Sequence, residues 1–163
     1  MEGIVKEIIA ILMDDHKKVD EAISDIKRLM TLSPEESFIQ LAERLTFFKD
    51  FTFKGHHVRE EEVLYAWMGK QNSNSDTSIM DRIKNEHKQL EALGQKLLDA
   101  VNAALLKKST MSNVAILSDL NDFIVIYLEH IEKEENFIFM IAEGLKLTSE
   151  QEATMLLKMK ATL

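Results

Sequence analysis

The chain has 163 residues, with 28 acidic against 20 basic side chains and a net charge of −8. That balance excludes a nucleic-acid surface, which needs concentrated positive charge. The absence of cysteine excludes disulfides, thiolate zinc sites, cysteine-ligated iron–sulfur clusters and cysteine nucleophiles. At 45% apolar and 29% charged residues the composition is that of an ordinary globular protein. The length suits one domain spanning 1–163 with a single core. The longest apolar runs, Ile8 to Met13 and Phe123 to Leu128, are far too short to cross a bilayer, so no membrane partner is expected. Glu2 and Glu7 near the only early lysine are unlike a secretory signal, and the expected location is the cytoplasm.

A first helix is predicted over about Gly3 to Met30, with Ile8, Leu12, Val19, Ile23 and Ile26 on one stripe. Ser33 suits the N-cap and Pro34 the first turn of a second helix that runs to about Met68. Gly55 falls inside it, a placement that usually has a packing or functional reason. "GKQNSNSD" (69–76) reads as a polar loop, after which Thr77 or Ser78 caps a third helix ending near Lys107. A turn at 108–112 leads into a fourth helix that Gly144 stops after Ala142. A short helix over 149–160 follows, with Met155, Leu156 and Met159 on one side. The expected fold is all-α: an antiparallel up-down-up-down four-helix bundle over about 3–143 with an accessory C-terminal helix.

Five histidines stand in the chain, and each has an acid four residues on: His16 and Asp20, His56 and Glu60, His57 and Glu61, His87 and Glu91, His130 and Glu134. That is one helical turn. His16 lies between Leu12 and Val19 on the apolar stripe, where an unbonded polar group is costly. His57 and Glu61 share a face with Phe53, Leu64 and Met68; His130 and Glu134 share one with Phe123, Ile126 and Phe137; His87 is in phase with Ile83, Leu90 and Gly94. His56 points about 100° away from His57 on an α-helix and is expected at the surface or behind a ligand. Glu60, Glu62 and Glu135 read most simply as outer-face acids. Asp20 and Glu91 are candidates to support His16 and His87 from outside, and Tyr127, one turn before His130, to reach toward the site.

Helix levels agree. The histidines of helices two, three and four lie at matching distances from their shared turns, to within about two residues at 1.5 Å each. Helices one and two do not match, so the start of helix two must overhang or its boundary lie elsewhere. The pattern also repeats: "DDHKKVDEA" against "NEHKQLEA", and "HVREEEVLY" against "HIEKEENFI". Each half reads histidine, long gap, histidine-x-x-x-glutamate, which brings four imidazoles and two carboxylates into one core. Such a set suits a dinuclear site of iron or manganese, with copper or zinc also able to bind by affinity. Glu-x-x-His and His-Glu-x-x-His are both absent, which removes the ferritin-like and zincin families.

In this arrangement the sequence resembles the hemerythrin-like (HHE cation-binding) family over about residues 4 to 142. The positions that carry the resemblance are His16, His57 and Glu61 within "EEEVLY", His87, and His130 and Glu134 within "EENFIF". Ile83 stands where oxygen carriers have a fifth histidine, so the four-histidine, two-glutamate variant looks closest to the di-iron domain of iron-centre repair proteins. The resemblance implies two iron ions bridged by oxo and carboxylate groups, with zinc or manganese as substitutes, and His16, His57, Glu61, His87, His130 and Glu134 as metal ligands. It implies a protein that binds and reacts with oxygen, nitric oxide or peroxide in stress response or iron donation, served by a redox partner protein. The alternative is a non-catalytic module for oxygen or metal sensing or storage.

Overall fold

The structure, a computed structural model, describes residues 3–71 and 74–161, with side chains described outside 74–77. Helix α1 is Ile4–Leu29. Helix α2 covers 34–71 as one rod: α-helical at Pro34–Phe47, widened to a π-helix at Phe48–His56, α-helical at His57–Arg59, π again at Glu60–Tyr65, and α-helical at Ala66–Gln71. Helix α3 is Asn74–Leu105, and α4 covers 113–143 with a π turn at Glu134–Ile138. Helix α5 is Ser149–Ala161. No strand occurs among the described residues.

Local chemistry sets the starts. The Glu36 carboxylate accepts from Ser33 N at 3.2 Å and from Ser33 Oγ at 2.8 Å, with Pro34 in the first turn. Ser112 Oγ accepts from Ala115 N at 3.2 Å to open α4. Ser33→Ala is expected to cost about 1 kcal/mol in denaturant unfolding, the usual worth of an N-cap oxygen.

The boundary at Pro34 stands where the sequence places it. The surplus of residues in α2 is partly absorbed at Phe48–His56, because i→i+5 bonding packs more residues into each turn. Two expectations change. The polar stretch 69–76 is helical at both ends, since α2 continues to Gln71 and α3 has begun by Asn74; residues 72 and 73 lie outside the described residues. Gln71 drives this by docking on the 144–148 connection, donating to Lys146 O at 2.8 Å and accepting from Lys146 N at 3.0 Å. Thr77 and Ser78 therefore sit within α3 and do not cap it. The buried face of α4 is also rotated from the expected one: Ile126 and Phe137 are exposed, while Phe123, Ile124, Tyr127, Ile131 and Ile138 are buried.

The four long helices pack in sequence order, α1 on α2, α2 on α3 and α3 on α4, and the end of α4 returns to α1. Their apolar residues form two plugs. One holds Ile23, Leu41, Phe48, Leu97, Leu120 and Phe123. The other holds Leu12, Leu64, Met68, Ile83, Ile138 and Phe139, closed by Met155 and Met159 of α5. The five buried histidines, with Asp15, Arg59, Glu60 and Glu134, come from the helix stretches between the two plugs.

Candidate metal centre

All five imidazoles are at most 2% exposed, and the Glu60 and Glu134 side chains are fully buried. They form two groups whose ligand-type atoms lie within 4.8 Å of one another: His16, His56, Glu60 and Glu134 in one, and His57, His87 and His130 in the other. The two carboxylates connect them. Glu134 Oε2 is 3.3 Å from His16 Nε2, and Glu134 Oε1 is 3.3 Å from both His87 Nε2 and His130 Nε2. Glu60 Oε1 is 3.4 Å from His56 Nε2, and Glu60 Oε2 is 3.4 Å from His87 Nε2. Each carboxylate thus turns one oxygen to each histidine group.

Four of the expected histidines, His16, His57, His87 and His130, together with Glu134, meet here. Glu61 does not. Its side chain is about one-third exposed and its Oε1 takes a 2.7 Å hydrogen bond from His87 Nδ1. Glu60, expected on the outer face, fills the interior position, and His56, expected at the surface, is buried beside it. The cause is local. Two π segments flank the short α-helical stretch His57–Arg59, so the face that a uniform α-helix assigns to His57 and Glu61 presents His56, His57 and Glu60. The π turn of α4 likewise begins at Glu134.

Behind the imidazoles stands a ring of carboxylates. His16 Nδ1 meets Glu135 Oε1 at 2.8 Å, His56 Nδ1 meets Asp15 Oδ2 at 3.3 Å, and His130 Nδ1 meets Glu86 Oε2 at 3.1 Å. His57 Nδ1 has the longest such contact, 3.5 Å to Glu91. A carboxylate on Nδ1 fixes the ring and leaves Nε2 as the donor, the arrangement that supports metal-binding histidines. Asp20 is exposed and has no part in it, and Glu91 serves His57 where His87 was expected.

A pseudo-twofold runs through these contacts. Asp15 accepts from His56 and from the buried Arg59 as Glu86 accepts from His130 and from Lys133. Glu61 on His87 mirrors Glu135 on His16. The signal for this register was present in the text: counted from His56 and from His130, both motifs reach their aromatic, Tyr65 and Phe139, at the same distance. Two hydroxyls are added to that frame. Tyr65 donates to Glu134 Oε1 at 2.7 Å, and Tyr127 Oη lies 3.2 Å from His57 Nε2. Gly55 leaves room for a Cβ with only ordinary contacts, whereas a Cβ at Gly94 would lie 2.8 Å from the Phe53 ring, which packs against His57.

The electrostatics are those of a cation site. Burial pushes the His16 imidazole down, but Glu134, Glu60 and Glu135 outweigh it and hold its pKa at about 9. Burial acts likewise on His87, where Glu134, Glu60 and Glu61 raise the pKa to about 11. Burial raises Glu134, yet His130, His16 and His87 hold it well below the usual carboxylate range. Both Glu60 oxygens, Glu134 Oε2 and His130 Nε2 are buried without a hydrogen-bond partner. Buried polar atoms are normally satisfied, so these four orphaned ligand atoms, divided between the two histidine groups, fit bound metal. Nitrogen and oxygen donors without sulfur suit iron or manganese, with zinc also accommodated.

The family model for the hemerythrin HHE cation-binding domain matches residues 7–142. A search of curated proteins gave no match.

Proposed function

Because the chain belongs to the hemerythrin HHE cation-binding family, we propose that it holds two iron ions between its histidine groups and reacts there with oxygen, nitric oxide or peroxide. The supporting observation is the pair of buried carboxylates, Glu60 and Glu134, each facing both groups with one oxygen. His16, His56 and these carboxylates would hold one ion; His87, His130 and the same carboxylates the other. Glu60 and Glu134 take the places the sequence pattern assigns to Glu61 and Glu134, and His56 joins the set.

When bound, a pair of irons supplies reversible one-electron steps and a place for a small ligand. The protein's own residues do the rest. The outer carboxylates orient the rings, and the two apolar plugs exclude water. The Tyr65 hydroxyl, on Glu134 Oε1, restrains that carboxylate and holds a proton one bond away from it.

The test is metal content and turnover together. Protein reconstituted anaerobically with ferrous iron is expected to carry two irons per chain and, on aerobic oxidation, to show near-ultraviolet absorption that reduction bleaches. Repeated consumption of added peroxide supports a redox role. Two irons without turnover would reduce the reading to sensing or storage, and no iron would remove it.

A further inference from the structure

Outside the metal centre, one surface hollow joins apolar walls to an unmatched charge. Ile79, Arg82, Ile83 and Glu86 follow helical spacing along one face of α3, and Lys133 and Phe137 stand one turn apart on α4. Together they line a hollow of about 280 Å³. Ile83 is buried at its floor and Ile79 is half-buried. Phe137 is 57% exposed, and Met140, three residues on, is 68% exposed, so the wall on the α4 side is apolar surface left open to water. Helix α5 packs on α1 and α2 and contributes nothing to the lining.

The charges divide unevenly. Lys133 Nζ donates to Glu86 Oε1 at 2.7 Å, and Glu86 Oε2 meets His130 Nδ1 at 3.1 Å, so the lysine and the carboxylate are both engaged. Arg82 is exposed and has no ion-pair partner among the described residues. Apolar walls with one uncommitted guanidinium suit an apolar body that carries a single acidic group. A volume this small restricts that body to a short chain. A second hollow, beside Lys49, Lys54 and Lys88, is the rival place for an anion, but there Lys54 is bonded to Asp50 at 2.8 Å and Glu91 stands in the lining.

We propose that the hollow between α3 and α4 binds a medium-chain monocarboxylate, its acid group on Arg82 and its chain against Ile79, Ile83 and Phe137. Lys133 matches the charge of Glu86, so that carboxylate does not oppose the incoming anion. The occupant lies on the outer side of Glu86, one carboxylate away from His130, and takes no ligand atom from the metal centre. The site therefore stands whichever metal the centre holds.

The experiment titrates the full chain with anilinonaphthalene sulfonate, a fluorescent apolar anion, and displaces the dye with octanoate. Wild type is expected to bind one dye per chain and to release it to octanoate. Hexanoate should need a roughly 15-fold higher concentration, because each buried methylene contributes about a factor of four. Octanol, which lacks the charge, should compete roughly tenfold less well than octanoate. Arg82→Glu should weaken dye and octanoate by roughly tenfold or more, and Phe137→Ser should weaken both as well. Lys88→Glu, in the rival hollow, should leave both unchanged. Circular dichroism checks that the variants keep their helices; should Phe137→Ser fail to fold, Arg82→Glu and the chain-length series carry the same reading. No one-to-one binding by wild type, octanol competing as well as octanoate, or unaltered binding in Arg82→Glu would each overturn the site. Loss of binding in Lys88→Glu would move the anion to the other hollow and overturn it too.

Discussion

Glu60→Gln is expected to leave the protein with well under two irons per chain, while Glu61→Gln keeps a full complement. The two residues are neighbours of identical chemistry, so the contrast rests on position alone. Glu60 has both oxygens buried and unpartnered, 3.4 Å from His56 Nε2 on one side and 3.4 Å from His87 Nε2 on the other. An amide there removes the negative charge shared by the two sides and replaces the acceptor on one side with an NH2 group. Glu61 acts on His87 from outside through Nδ1, and its loss should weaken affinity by roughly 10–100-fold, the usual effect of such a partner. Elemental analysis after dialysis, followed by competition with a chelator, distinguishes the two. The opposite ranking would restore Glu61 as the metal-facing carboxylate.

Metal removal should cost about 4 kcal/mol of stability relative to protein saturated at 1,000 times the dissociation constant. For a chain of this size that is a fall in Tm of roughly 8–16 °C. The metal-free protein should also acquire a pH dependence that the loaded protein lacks. His16 and His87 have folded-state pKa values of about 9 and about 11 against 6.5 for the free side chain. Their contribution is fully present below pH 6.5 and is lost as pH rises through 9 and then 11. Apo protein should therefore lose stability from pH 7 toward pH 10. Metal binding must displace both protons, so loading near pH 7.5 should release about two protons. Calorimetry in buffers of different ionisation enthalpy measures that release, and its absence would mean the two imidazoles are already neutral in the metal-free core.

The bundle was legible because its signals are local. Ser33, Pro34, Ser112 and Gly144 mark ends, and a 3.6-residue stripe such as Ile8, Leu12, Val19 and Ile23 marks a buried face. Four histidines, His16, His57, His87 and His130, were legible because a buried imidazole on an apolar stripe needs a partner; His56 was not. The choice between Glu60 and Glu61 was not, because it depends on where helix α2 changes its winding. A reading at constant 100° per residue carries His57 and Glu61 inward together; the π turns on both sides of His57–Arg59 bring His56 and Glu60 in with it. Phe137 falls within the π turn of α4 and is likewise exposed where constant winding put it inward. Helix α2's extension to Gln71 was equally hidden, since it depends on a contact with Lys146, 75 residues away.

The widened stretch Phe48–His56 has a consequence for how this chain tolerates change in length. A residue removed from an exposed loop shortens the loop and little else. A residue removed between 48 and 56 would turn every later side chain of α2 by about 100° about the helix axis. Glu60 would swing toward solvent and Tyr65 would leave Glu134. The helix works there as a threaded spacer, and its surplus residue sets the angle at which the carboxylate arrives. Point substitutions on its outer face leave that angle alone, whereas single-residue deletions or insertions change the identity of the inward-facing acid.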